Sequence, residues 1–137
     1  MPKLRHVAIK CDDLPAAAEF YTSLFEMKEI ARRGDLDRGG AIYLSDGVVN
    51  LALIKITDPT FPNAQIDGLN HIGFLVDDAD AFVAKAESFG CTRTIDEQAQ
   101  LAHAAKHNVT KVYEVKMKTP DGVSFDVTDI GWPGAGI

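Results

Sequence analysis

Leu4-Arg5-His6-Val7-Ala8-Ile9, close to the N-terminus, returns 65 positions later as Leu69-Asn70-His71-Ile72-Gly73-Phe74. At the same spacing, Asp12-Asp13 is matched by Asp77-Asp78. The next apolar residues also recur in pairs, namely Ala17 and Phe82, Ala18 and Val83, Tyr21 and Ala86, and Leu24 and Phe89. Their i, i+1, i+4, i+7 spacing is that of an amphipathic helix packed on a sheet. Each half therefore begins with a strand, an aspartate cap and a helix.

Short β-forming runs between turn signals complete each half. They predict strands over residues 28–33, 41–44 and 48–56 in the first half, and over 92–95, 111–118 and 123–130 in the second. Both halves thus have the order βαβββ. We expect a single domain over 1–137, made of module one (3–56), a linker (57–67), module two (68–130) and a C-terminal tail (131–137).

One segment breaks the symmetry of the halves. Residues 97–110, EQAQLAHAAKHNVT, stand where the first half has a short turn. Their mixture of Ala, Leu, Gln, His and Lys predicts a helix or a loop. Two interpretations stay open, an ordinary surface helix and a lid over a functional face.

Strand alternation predicts which side chains share a face. It places His6 and His71 at equivalent positions on one face of the sheet. In the last strand, Val123, Phe125 and Val127 would cover the helix side, which leaves Asp126 on the face of the histidines. Asn50 takes in module one the place that Asp126 takes in module two. Two imidazoles and one carboxylate on a concave face suit Fe, Mn, Ni, Co or Zn, with coordination positions left open for substrate.

With these strands in place, the sequence resembles the vicinal oxygen chelate superfamily, which includes glyoxalase I, bleomycin-resistance proteins, fosfomycin-resistance enzymes and extradiol dioxygenases. The resemblance spans residues 3–130 and rests on the paired βαβββ order, the strand-one histidines and the turn Pro120-Asp121-Gly122 before an acidic residue. It implies an α+β fold of the glyoxalase/dihydroxybiphenyl dioxygenase type, in which two βαβββ modules form a cupped mixed sheet. It also implies chain pairing, so that a homodimer is expected.

The resemblance further implies a divalent metal cofactor with His6, His71 and Asp126 as its ligands. Asn50 falls at the fourth ligand position of four-ligand members. Two departures stand out, because the acidic ligand of the superfamily is most often Glu, and glyoxalase I has a glutamate where Asn50 stands. Asp is one methylene shorter than Glu, so the ion would have to shift toward this strand, or the site would be metal-free. An amide cannot take up a substrate proton at neutral pH.

The leading functional hypothesis is a metal-dependent, glyoxalase-like lyase or isomerase acting on a small oxygenated metabolite. In that reaction the substrate would give its proton to a loosely coordinated Asp126, or to Glu114, His103 or His107. An alternative is an Fe(II) extradiol-type dioxygenase. Resemblance to those enzymes asks for a His and a Tyr beside the metal ligands, and Tyr113 and one of His103 and His107 would serve. Another is a metal-free binding protein of the bleomycin-resistance kind.

Composition excludes other classes of partner. Fourteen Lys and Arg face 20 Asp and Glu, for a net charge of −6, and no basic stretch concentrates positive charge. Nucleic acid is therefore not expected as a partner. The N-terminal residues lack the apolar segment of a secretion signal, and no run approaches a membrane span, so we expect a cytoplasmic protein with a small-molecule substrate. Trp132, which follows the last predicted strand, is expected to pack on the sheet edge or on a second chain.

Overall fold

The computed structural model describes residues 1–106 and 114–137. Within these ranges the strands are β1 (Lys3–Lys10), β2 (Lys28–Arg33), β3 (Ala41–Ser45), β4 (Asn50–Ile54), β5 (Gly68–Leu75), β6 (Thr92–Arg93), β7 (Val115–Lys118) and β8 (Ser124–Thr128). The helices are α1 (Leu14–Leu24), α2 (Ala79–Ser88) and α3 (Glu97–Lys106). No helix in the described part of the chain is long and apolar enough to cross a membrane.

The strands form one mixed sheet in the order β2-β3-β4-β1-β5-β8-β7-β6. β1 and β5, the first strands of the two halves, lie side by side and antiparallel at its centre. Each of them pairs in parallel with the last strand of its own half, β4 or β8. The expected α+β fold is confirmed. Because the two histidine strands are neighbours, the duplication brings their side chains together within one chain.

Helices α1 and α2 each cover strands of their own half. The first core consists of Leu14, Ala18, Ile42, Leu44, Leu51 and Leu53, and the second of Val76, Val83, Ala86, Met117, Phe125 and Val127. The caps are equivalent, since Asp13 and Asp78 accept hydrogen bonds from the backbone nitrogens of Ala16 and Ala81. These bonds satisfy amide groups that the first turn of a helix leaves unpaired.

At the ends of α1 and α2, the amphipathic pattern in the sequence predicts more side-chain burial than the structure shows. Leu24 and Phe89, which are equivalent in the repeat, remain 61% and 71% exposed. Leu24 is the last residue of α1 and Phe89 is the C-cap of α2, so both side chains stand at a helix end, where fewer neighbours cover them.

Several strands are shorter than predicted. The segment 48–56 forms a strand only over Asn50–Ile54, because Asp46 Oδ1 accepts the backbone N–H groups of Val48 and Val49 in a turn. Likewise 92–95 shortens to Thr92–Arg93, and 123–130 to Ser124–Thr128. In the 111–118 segment, Val115–Lys118 is a strand and the first residues lie outside the described ranges. The runs of β-forming residues are thus longer than the hydrogen-bonded strands that they contain.

The 97–110 segment is helical over Glu97–Lys106, and its last residues lie outside the described ranges. Gln100 on this helix is buried, and its Nε2 donates to the backbone oxygen of Glu114 at 2.9 Å. The helix therefore lies against the start of β7, close to the face that carries the histidines.

Candidate metal centre

The structure brings together the three residues predicted to bind metal. His6 Nε2 lies 3.2 Å from His71 Nε2, which lies 3.1 Å from Asp126 Oδ2. One ligand atom from each residue fits within 4.8 Å of the others. Separations of this size are those of neighbouring ligands about 2.1 Å from a common ion. All three residues come from one chain, on β1, β5 and β8.

An asparagine side chain fixes a proton on the Nδ1 atom of each histidine. At His6 this asparagine is Asn50. The Asn50 Nδ2 group donates to the backbone oxygen of Pro133 at 2.9 Å, which turns the amide oxygen toward the imidazole. His6 Nδ1 lies 2.7 Å from that oxygen. An amide oxygen only accepts, so Nδ1 must carry the proton and Nε2 a lone pair. Asn50, expected at a fourth ligand position, thus bonds the ring nitrogen on the far side from His71.

Asn70 plays the same part at His71. Its Nδ2 donates to the backbone oxygens of Asn63 and Ile66, at 3.1 and 3.0 Å. Its Oδ1 accepts from His71 Nδ1 at 2.8 Å. Hydrogen bonds of this kind, from the outer ring nitrogen of a ligating histidine, orient the ring and raise its basicity.

Two lone pairs and a carboxylate therefore face one another at the centre. With both rings neutral, the two Nε2 atoms present lone pairs and an ionised Asp126 only accepts, and a metal ion that binds here would displace any proton on His71 Nε2. Such a set of two imidazoles and a carboxylate suits a divalent cation. The residues present fit a divalent metal ion, and His6, His71 and Asp126 would hold it.

β-bulges explain how each strand aims its histidine. In the β1–β5 ladder the register passes directly from Leu4 to His6 and, on the other strand, from Leu69 to His71. The extra residues are Arg5 and Asn70, each just before a histidine. A bulge adds one unpaired residue and re-aims neighbouring side chains. It places the Asn70 amide beside the ring of the next residue, which strict alternation would not allow.

A buried lysine that the sequence reasoning missed completes the cluster. Lys116 Nζ donates to Asp126 Oδ2 at 3.0 Å and lies 4.0 Å from Glu114 Oε1. Its side chain is only 13% exposed. Strand alternation along β7 could have indicated Lys116. Met117 faces the core, so its neighbour Lys116 faces the other side of the sheet, where it lies directly opposite Asp126 in the register.

Burial and the neighbouring charges set the protonation states. Burial lowers the pKa of His6 to about 4, although Asp126 acts in the opposite direction. Burial alone would raise the pKa of Asp126, but Lys116 and His71 outweigh it and hold that pKa well below its usual range. Burial raises the pKa of Glu114, against the effect of Lys116. The centre thus holds a neutral His6, an ionised Asp126 and a carboxyl group of raised pKa.

A cavity of about 170 Å³ opens beside the cluster. His6 and His71 form part of its wall, together with Tyr43, Glu114 and Lys116. His103 of α3 also lines it, stacked on Phe61 with the ring centroids 3.9 Å apart and Nδ1 3.8 Å from Asp58 Oδ2. His107 and Tyr113, the other expected site residues, lie outside the described ranges.

Trp132 corrects an expectation from the sequence. It does not lie on the sheet edge but lines the cavity and stacks on His6, with ring centroids 4.6 Å apart and planes inclined by 8°. The reason is that the chain turns back after β8, so that Pro133 and Gly134 reach the first half and bond Asn50 and Ser45.

A family model links this geometry to known proteins. The model of the Glyoxalase/Bleomycin resistance protein/Dioxygenase superfamily matches residues 3–127. The chain belongs to this superfamily. The resemblance to vicinal oxygen chelate proteins is thereby confirmed, while no curated protein sequence matches the chain.

Solved structures are similar over nearly the whole chain. A hypothetical protein from Bacillus halodurans C-125 has a TM-score of 0.69 at 14% identity, with 93% of each chain covered. A methylmalonyl-CoA epimerase in complex with methylmalonyl-CoA and NH4+ has a TM-score of 0.70 at 18% identity, also with 93% of each chain covered. A Streptomyces coelicolor methylmalonyl-CoA epimerase variant in complex with 2-nitronate-propionyl-CoA has a TM-score of 0.68 at 19% identity, with 91% of this chain and 94% of that one covered. At these identities the likeness shows the fold alone.

Proposed function

We propose that the protein is a divalent-metal enzyme of the lyase or isomerase type, which moves a proton on a small oxygenated substrate. The observation that carries the proposal is the convergence of His6 Nε2, His71 Nε2 and an Asp126 oxygen, with both imidazoles held in the tautomer that binds metal. Two histidines and one carboxylate leave coordination positions for two neighbouring oxygens of a substrate.

A divalent ion bound there would stabilise the negative charge that develops on a substrate oxygen as a proton leaves the adjacent carbon. Glu114 is the group placed to take up that proton. It lines the cavity, and its side chain keeps 24% exposure, so a substrate can reach it. Burial raises its pKa, which brings the carboxylate closer to the basicity that proton transfer near neutral pH requires.

The charges of the cavity wall favour an anionic substrate. Among the described residues that line the cavity, Arg33, Lys55 and Lys116 are cationic and Glu114 is the one carboxylate. A cationic drug of the bleomycin type would meet this positive wall, whereas a carboxylate or an enolate would be attracted to it. The wall therefore favours the enzyme over the binding protein.

Similarity to the methylmalonyl-CoA epimerases supports isomerase chemistry within the superfamily. The substrate of the present protein is proposed only as a class, a molecule with an acidic carbon next to a carbonyl group and a second oxygen nearby. Acyl thioesters with an α-carboxylate, hydroxy acids and hemithioacetals belong to this class.

The test has two parts. Elemental analysis of the purified protein is expected to find about one equivalent of Ni, Co, Zn or Mn, and His6→Ala and His71→Ala are expected to remove it while circular dichroism stays unchanged. The loaded protein is then incubated with members of the substrate class in D2O, and deuterium at the acidic carbon is followed by NMR. Full metal occupancy in both histidine variants would overturn the assigned site.

The rival functions give different results in the same assays. Iron together with O2 uptake on catechols would identify an extradiol-type dioxygenase, and tight bleomycin binding without metal would identify a sequestering protein. Either result would overturn the isomerase proposal.

A homodimer remains part of the proposal. Exposed apolar side chains on and just after α1, namely Phe20, Leu24 and Phe25, support pairing. Light scattering coupled to size-exclusion chromatography tests it. Because all three ligands lie in one chain, a monomer would leave the proposed metal site unaffected.

A further inference from the structure

Residues 131–137, the C-terminal strap, leave β8 in the second half and return over the first. Three hydrogen bonds attach the strap to the β3–β4 hairpin: Ser45 Oγ to the Gly134 oxygen (2.7 Å), Asn50 Nδ2 to the Pro133 oxygen (2.9 Å) and the Gly136 nitrogen to the Val48 oxygen (2.8 Å). The strap therefore has a defined path, although it forms neither helix nor strand.

The indole of Trp132 occupies a slot that fits it closely. The side chain is 8% exposed and lies nearly parallel to the His6 ring. Gly73, opposite His6 in the ladder, leaves the room, since a Cβ at that position would lie 2.7 Å from the indole ring. Any larger residue at position 73 would displace Trp132, His6 or both, since the added Cβ would also lie 2.8 Å from His6 Cβ.

The indole of Trp132 is held by face-to-face packing and not by a hydrogen bond from its N–H group. Nε1 is buried and has no hydrogen-bond partner among the described residues. Buried tryptophans usually bond this N–H. Among the described residues, the aromatic ring that it stacks on is that of His6.

The strap thus holds His6 at two places. Trp132 packs against the face of the ring, and the Pro133 oxygen orients the Asn50 amide that binds Nδ1 at its edge. Both contacts leave Nε2 free to face His71 and Asp126. A ring confined on its face and its edge loses little further freedom when it binds an ion.

We propose that Trp132, carried by the C-terminal strap, is a positioning residue for the metal centre. The inference rests on the proposed function in that an ion binds at His6, His71 and Asp126. Reciprocal coupling follows, because an ordered strap strengthens metal binding and a bound ion makes the strap harder to displace.

The first measurement uses the native protein. Trp132 is the single tryptophan of the chain, so the tryptophan fluorescence reports on the surroundings of this residue alone. Titration of the metal-free protein with Co2+, whose absorption and unpaired electrons quench a nearby indole, is expected to reduce the emission in step with occupancy. Stoichiometric Co2+ binding without quenching would overturn the proposal.

The second measurement compares variants by isothermal titration with Zn2+. Trp132→Ala is expected to weaken Zn2+ affinity by about 10- to 100-fold, the range typical of residues that orient a ligand. Trp132→Phe keeps a ring on His6 without the N–H and is expected to stay within about threefold of the native value, far inside that range. Equal affinity in the native protein and Trp132→Ala, or equal losses in both variants, would overturn the role of the stacked ring.

The third measurement removes the strap by ending the chain after Ile130. It should weaken Zn2+ binding at least as much as Trp132→Ala, because the Asn50 contact is also lost. If the shortened chain does not fold, limited proteolysis of the full chain takes its place, and added Zn2+ is expected to slow cleavage within the strap. An unchanged affinity or an unchanged cleavage rate would overturn the coupling.

A native protein that binds no ion at all would refute the proposed function itself. That result is distinct from variants that bind the ion as tightly as the native protein does, which would refute only the role of Trp132.

Discussion

Lys116 Nζ lies 3.0 Å from Asp126 Oδ2, the same oxygen that lies 3.1 Å from His71 Nε2. The centre therefore contains a cation of its own, which balances the buried carboxylate. A divalent ion would share Asp126 with this ammonium group. The pairing predicts opposite effects of Lys116 on stability and on metal affinity.

Lys116→Met tests these effects. Without the ammonium group, Asp126 becomes an unpaired buried carboxylate, so the free energy of unfolding of the metal-free protein should fall by about 3 kcal/mol. Zn2+ affinity should rise, since a neighbouring positive charge is gone. Urea unfolding with and without Zn2+ measures the first effect and isothermal titration the second.

Lys118→Met is the matched control, with the same substitution two residues along β7. It should change neither quantity by more than about 0.5 kcal/mol, as is usual for a position outside a buried network. If Lys116→Met destabilises the metal-free and the metal-loaded protein equally, Lys116 does not compete with an ion for Asp126.

Asn70 is predicted to govern metal affinity without touching the ion. Asn70→Ala removes the acceptor of the His71 Nδ1 proton, so Zn2+ affinity should fall by about 10- to 100-fold. Asn70→Asp keeps an acceptor at that place and should retain most of the affinity. Titration calorimetry at pH 7.5 compares the two, and an equal loss in both would mean that the bonds to Asn63 and Ile66 matter instead.

Asn50 permits a sharper distinction between a ligand and an orienting group. If it acts through His6 Nδ1, Asn50→Ala should lower Co2+ affinity by about 10- to 100-fold while the visible spectrum of bound Co2+ keeps its band positions. A spectrum that shifts to a lower coordination number would instead make Asn50 the fourth ligand.

The duplication explains why the centre was predictable. Equivalent histidines mark equivalent strands, and alternation in the last strand separates Asp126 from Phe125 and Val127, so His6, His71 and Asp126 follow from periods of 2 and 65 in the sequence. Both periods are read directly from the sequence, so they do not depend on how distant segments pack.

Two of the residues around the ligands, Asn70 and Trp132, were not predictable in that way. Asn70 reaches His71 only because a β-bulge breaks the alternation. Trp132 reaches His6 only because the strap folds back over 126 positions of sequence. Neither a bulge nor a return path leaves a periodic signal, so the contacts of these two residues emerge from tertiary structure alone.

The helix caps predict a stability effect that is separate from the site. Asp13→Ala and Asp78→Ala should each lower the free energy of unfolding by about 1 kcal/mol, because each aspartate accepts a backbone N–H in the first turn of its helix. Asp12→Ala, one residue before the cap, is the control and should have a smaller effect. Urea unfolding measures all three, and unchanged Zn2+ affinity in each would confirm that the helix layer and the centre are independent. A cap variant as stable as the native protein would contradict the prediction.

Glu114 separates proton transfer from metal binding. Its carboxyl group lines the cavity but lies 4.0 Å from Lys116 and is not one of the proposed ligands. Glu114→Gln preserves the shape and removes the base, so the rate of solvent deuterium exchange into a substrate should fall by about 10²- to 10⁴-fold. Zn2+ affinity should stay nearly constant, because the ligands are untouched. A variant that exchanges deuterium at the native rate would exclude Glu114 as the base, whereas a variant that loses both exchange and metal would show that Glu114 supports the centre itself.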